Sequence, residues 1–126
     1  MTAAINVARV RQVLNEIIDP CSAAAGAPAG LDDMGIVLDV RCTPRGVVTD
    51  LHVVLGATDP HCMMTGAFMA DGQRRLRSLP DVGEVIIEID RTAIWTPARL
   101  SAAYTSRLAE HRQRRRAARL AAVATR

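Results

Sequence analysis

Apolar positions recur along the chain with two different periods. Between Ala4 and Ile18 the large ones include Ile5, Val10, Val13, Leu14, Ile17 and Ile18, mostly three or four apart. Arg9, Arg11, Gln12, Asn15 and Glu16 fill the other positions. That spacing predicts an amphipathic helix over 4–18, ended by Asp19-Pro20 because a residue before proline is pushed out of the helical region. Cys21 to Gly30 is a run of small residues and reads as a mobile loop. The period then changes. Stretches 34–41 and 47–55 are β-branched and apolar, and Thr43-Pro44-Arg45-Gly46 between them has turn chemistry, which predicts a hairpin.

A second helix is expected over 63–79, with Met63, Ala67, Ala70, Leu76 and Leu79 inward and Gly66 and Gly72 weakening it. Residues 82–90 alternate, with Val85, Ile87 and Ile89 on one strand face. Thr96-Pro97 supplies an N-cap and a first helical residue, and Leu100, Tyr104 and Leu108 follow at steps of four, with His111 beyond. The order helix-strand-strand-helix-strand-helix predicts an α/β (α+β) fold with a small mixed three-stranded sheet covered by helices. The hairpin makes strands one and two antiparallel. The helical crossover makes strands two and three parallel. The expected strand order is 2-1-3.

Composition changes this picture in two places. The chain has 126 residues with 49% hydrophobic and only 2% aromatic content, so one small core of aliphatic side chains is expected. The net charge of +3 is unevenly spread. From Ala98 onward there are eight arginines against Glu110 alone, and before it eight arginines against twelve acids. The charge sets the C-terminal stretch apart, and the expected division is a domain over 1–104 and an arginine-rich helical tail over 105–126. No aromatic residues interleave with the tail arginines, so a solvated helix or an acidic protein partner is favoured over nucleic acid. No apolar run reaches membrane-spanning length and no signal-peptide pattern opens the chain. Three cysteines without tight spacing describe no disulfide framework, and a cytoplasmic protein with reduced thiols is the expectation.

The most informative stretch is Thr58-Asp59-Pro60-His61-Cys62. Asp59 reads as a helix N-cap and Pro60 as the first helical residue, which puts Cys62 in a first turn. Unpaired N–H groups and the helix dipole there favour a thiolate. The residues leave open a small buried cysteine and a reactive or ligating one. His61 is a ligand or proton partner on one reading and an exposed histidine on another. His52 reads as a sheet residue, Cys42 as structural, and Trp95 as a lid on the core.

Four landmarks stand in order: Asp19-Pro20, Asp33-Met34-Gly35-Ile36-Val37, Thr58-Asp59-Pro60-His61-Cys62 and Ile94-Trp95-Thr96-Pro97. Over residues 7–104 the chain resembles the iron–sulfur cluster assembly domain family of the SufT and PaaD type, once called a domain of unknown function. Asp19, Asp33, Gly35, Thr58, Pro60, Cys62, Trp95 and Pro97 fall on the family's pattern. Two positions depart from it: Cys21 stands where the family has glutamate, and Met63 where it has proline.

The resemblance implies a non-enzymatic factor for the maturation of an iron–sulfur or other iron-containing client, with the single family cysteine, here Cys62, at its centre. The departures suggest a dedicated client, such as an oxygenase component. The resemblance brings the loop after Asp19-Pro20 near Cys62, so Cys21 joins Cys62 as a candidate ligand of iron or of a transiently held iron–sulfur cluster. Asp33 and His61 complete the candidate metal set. A homodimer would gather four thiolates. Cys21 as a bystander in the loop is the competing reading. Two rival functions stay open: a docking module for an oxygenase that binds no metal, and a thiol enzyme using Cys62. The second lacks a base, because adjacent His61 would not face Cys62 on a helix.

Overall fold

The strand with the most regular alternation is the centre of the sheet. In the computed structural model, which describes residues 5–59 and 62–125, Val48–Leu55 (β2) pairs antiparallel with Val37–Arg45 (β1) and parallel with Val82–Ile89 (β3). The order is therefore β1-β2-β3 rather than 2-1-3. The hairpin occupies one edge of β2, and β3 takes the other. Both edges of the most apolar strand are then paired, and Leu51, Val53 and Leu55 are at most 2% exposed.

The hairpin turn is tighter than its sequence suggests. β1 runs through Pro44 to Arg45, which pairs with Val48, so Gly46-Val47 is the loop. Gly46 has φ +64°, a conformation short hairpin loops favour. Pro44 is tolerated because β1 is an edge strand.

Helices Val7–Leu14 (α1) and, after a short helix at Pro20–Ala24 (α2), Thr65–Arg77 (α3) complete the core. α1 packs on β1, α3 on β3, and the two helices on each other, so they cover one face of the sheet. Val10, Leu14 and Leu76 are fully buried there with the apolar side of β2. The other face carries exposed or half-exposed side chains, including Arg41, Ile86 and a His52–Glu88 pair at 2.9 Å.

α3 begins later than Pro60 suggests, and its inner side is Thr65, Phe68, Gly72 and Leu76. Met63 is 95% exposed. A Cβ on Gly72 would lie 3.1 Å from Ile87 Cδ1 and 3.3 Å from Leu14 Cδ2. The glycine is what lets α3 approach β3 and α1 this closely.

Asp19-Pro20 starts a helix rather than only ending one. The Asp19 carboxylate accepts from Ser22 N at 2.9 Å with Pro20 at the first position, the arrangement of an N-cap followed by N1 proline. The small-residue stretch behind it is tied down. Ser22 Oγ donates to Asp19 O at 2.7 Å and accepts from Ala29 N at 2.9 Å, and Ile18 bridges Gly30.

Thr96-Pro97 likewise opens only a 3₁₀ turn, Pro97–Arg99. The last helix, Ala102–Ala124 (α4), is capped by Ser101, whose hydroxyl accepts from Tyr104 N at 3.0 Å. Past His111 every described residue of α4 is exposed. No helix among the described residues is long and apolar enough to cross a membrane.

One buried carboxylate ties these pieces together. Asp33 Oδ1 accepts from Ser101 Oγ at 2.6 Å, and Oδ2 accepts from Asn15 Nδ2 at 3.2 Å and from an Arg107 guanidinium nitrogen at 2.9 Å. Its backbone joins in, because Asp33 N donates to Asn15 Oδ1 at 2.8 Å and Ser101 N donates to Asp33 O at 2.9 Å. The end of α1 and the start of α4 are thus fixed to the segment leading into β1. Two residues on, Gly35 has φ +74°, and a Cβ there would run into the Arg99 carbonyl.

Two outcomes follow. Gly35→Ala adds backbone strain to a clash and should cost about 3 kcal/mol or more; a melting temperature within about 2 °C of wild type would contradict the close approach. For Asp33, burial alone pushes the carboxyl pKa up. The hydrogen bonds from Ser101, Arg107 and Asn15, with the Arg107 charge, outweigh it and hold the pKa below the usual carboxylate range. The folded state therefore binds this proton less tightly than the unfolded chain. The stabilisation is present above about pH 4 and is lost as pH falls further. Asp33→Asn should lose about 2 kcal/mol near neutrality and show a shallower fall in stability between about pH 5 and pH 3. Urea unfolding across that range checks it, and parallel curves for the two proteins would count against it.

Candidate functional site

The chain leaves β2 through Gly56-Ala57-Thr58 and turns before α3. Cys62 N donates to Asp59 O at 2.9 Å, closing that turn. Cys62 therefore lies three residues ahead of the first helical residue, Thr65, and is not in a first helical turn. Pro60 and His61, and with them the expectation for His61 as a ligand, lie outside the described residues.

Cys62 is half-buried and lines a narrow cleft together with Asp19, Met34, Ile36, Thr58 and Thr65. Three features set this geometry. Asp19 is presented by the start of α2. Gly56 N donates to Ile36 O at 2.7 Å, which holds the segment entering β1 against the segment leaving β2. Trp95 Nε1 donates to Met34 O at 2.6 Å, which braces the same segment from outside. Trp95 packs against the core as a partial lid, in line with its reading from the sequence.

Behind Cys62, Thr65 is buried, and its hydroxyl donates to Cys62 O at 3.3 Å and accepts from Arg91 at 3.2 Å. A cationic side chain is thereby connected, through one hydroxyl, to the backbone of the thiol segment.

The free space in the cleft is about 10 Å³, on the order of one water. Cys62 and Asp19 both line it, but it does not enclose a ligand much larger than a water.

The remaining candidates lie elsewhere. Cys21 is exposed on α2, two residues after Asp19, and does not line the cleft. Asp33 also does not line it. Both its oxygens accept hydrogen bonds from protein, while its neighbour Met34 does line the cleft. Cys42 lies on β1 opposite Leu51, half-buried against the core, and burial pushes its thiol pKa up. Among the described residues no group of three or more His, Cys, Asp and Glu side chains is gathered to hold a metal ion. One chain's described donors therefore do not make a complete site for a resident metal.

Sequence reading missed Asp19 as a site residue, along with Thr65 and Arg91. The signal for Asp19 was present: Asp-Pro opening a stretch with serine three residues on is an N-cap pattern as much as a helix stop. Nothing local marks Arg91, which reaches Thr65 only through the folded sheet.

No family model matches the chain, and no curated protein matches it. Solved structures do. A structure of Domain of Unknown Function DUF59 from Bacillus anthracis is similar with a TM-score of 0.65 and 21% identity, over 81% of this chain and 90% of that one. A conserved hypothetical protein from Thermotoga maritima is similar with a TM-score of 0.64 and 20% identity, over 86% of this chain and 98% of that one. At these identities the likeness is one of fold: the chain is built as DUF59 domains are built.

Proposed function

We propose that the protein is a non-enzymatic accessory factor of the SufT and PaaD type, which serves the maturation of an iron–sulfur or other iron-containing client. Iron or a cluster is its cargo and not a resident cofactor. The observation that carries this reading is the placing of Cys62, on the segment between β2 and α3, in a cleft that Asp19 also lines, in a fold similar to that of a DUF59 domain. A thiolate is the preferred ligand of iron–sulfur chemistry, and a carboxylate adds a harder oxygen donor for iron.

Cys21, two residues after the Asp19 cap, is the second thiol available to such cargo. Within the same reading it is supplied by the same chain or by a second copy across a homodimer. The exposed arginines of α4 suit docking of an acidic client such as an oxygenase component, and the protein acts in the cytoplasm, where thiols stay reduced.

Anaerobic reconstitution with ferrous iron and sulfide, followed by iron and sulfide analysis, tests the assignment. Cys62→Ser should lose most of the bound iron, while Cys42→Ser should bind as wild type does. Loss in Cys21→Ser assigns a shared thiolate pair, and retention assigns Cys62 without it. Undiminished binding by Cys62→Ser would sink the proposal.

A further inference from the structure

A second opening lies where α4 leaves the body, and it shares no lining residue with the Cys62 cleft. One wall is the turn Gly26-Ala27-Pro28. The other is one face of α4, with Tyr104, Arg107, His111 and Arg114 at steps of three and four. The cavity volume is about 220 Å³, below the roughly 300–1,000 Å³ of sites for drug-sized ligands.

The two walls are held in place by the protein itself. Gly26 has φ +81° and turns the chain after α2. Tyr104 donates its hydroxyl to Ala27 O at 2.7 Å. The Arg107 guanidinium lies 5.3 Å over the Tyr104 ring, and one of its nitrogens donates to Asp33 at 2.9 Å. A guanidinium carries five N–H donors, so Arg107 is fixed in position with donors to spare.

Arg114 approaches Glu110 only to 4.0 Å, with both side chains about 70% exposed, a pairing that costs little to disturb. His111 packs on Gly26, where a Cβ would come within 3.1 Å of its Cε1. Its Nε2 is buried and has no hydrogen-bond partner among the described residues. A buried ring nitrogen without a partner is costly, and His111 is itself a lining residue of the opening.

We propose that this opening binds a phosphate group, free or as an ester. Its polar lining is two guanidinium groups, an imidazole and a phenol that is already committed to Ala27. Among the described residues no carboxylate lines it. A planar carboxylate is satisfied by a single guanidinium fork. Donors from two guanidinium groups and an imidazole on one cavity suit the several oxygens of a phosphoryl group better, and the size fits one such group.

The test uses the full chain and inorganic phosphate as probe, with backbone amide resonances of Gly26, Ala27 and His111 followed at constant ionic strength. Wild type should give a saturable shift at these three positions. Arg114→Ala, at an exposed site, should weaken binding about tenfold with an unchanged melting temperature. Arg119→Ala, an exposed arginine of the same helix outside the opening, should leave it unchanged. Acetate should bind at least about tenfold more weakly than phosphate. Tighter binding of a nucleoside monophosphate assigns the ester, and equal or weaker binding assigns free phosphate. No saturable shift, equal effects of Arg114→Ala and Arg119→Ala, or acetate binding as tightly as phosphate would each overturn the proposal.

Discussion

The Asp33 carboxylate is the constraint on which the arrangement of this molecule depends. It is buried, it is charged, and it is satisfied from three directions by residues far apart in sequence: Asn15, Ser101 and Arg107. A buried charge persists only where it is paired and hydrogen-bonded, so the energy of keeping Asp33 ionised is also the energy that fixes α1, the entry to β1 and the start of α4 in one geometry. The close approach of Gly35 to Arg99 is the steric counterpart of the same junction. Side chains that look functional in the sequence, Asp33 above all, are here committed to the frame.

That frame has two products. On one side, Met34 and Ile36 follow directly from Asp33 and form a wall of the cleft that Cys62 and Asp19 share. On the other, Arg107 is held by Asp33 and forms the inner wall of the opening toward Gly26 and His111. The thiol cleft and the cationic opening thus each have a wall next to this carboxylate, Met34 following it in sequence and Arg107 hydrogen-bonded to it. Past His111, α4 has no further body to pack on, and its arginines are presented as an exposed arm.

Most of the fold was legible where burial imposes a clean period. β2 and β3 alternate because one face is packed and the other is not, and their positions follow from that alone. The places where local signals misled are those where tertiary packing overrules them. Pro60 invites a helix start, but the turn from Asp59 to Cys62 intervenes and α3 opens at Thr65. The inner side of α3 was hard to read because Gly72, its closest-packed position, has no apolar side chain to mark it. Strand order was not encoded locally, since a hairpin followed by a crossover is compatible with either neighbour until the burial of β2 decides. For the candidate site, the motif singled out Cys62, but that Asp19 lines the same cleft was not readable, because it depends on Asp-Pro capping α2 beside a segment far away in sequence.

In the proposed function Cys62, held at this cleft, is the group through which the protein serves an iron-containing client. The decisive experiment uses cells that make only the Cys62→Ser protein and measures iron content and activity of individual iron proteins against their polypeptide levels. The expected result is at least one iron protein whose polypeptide is present at its normal level while its iron content and activity are lost. Normal iron content in every iron protein, with Cys62→Ser folded and expressed as wild type is, would contradict it.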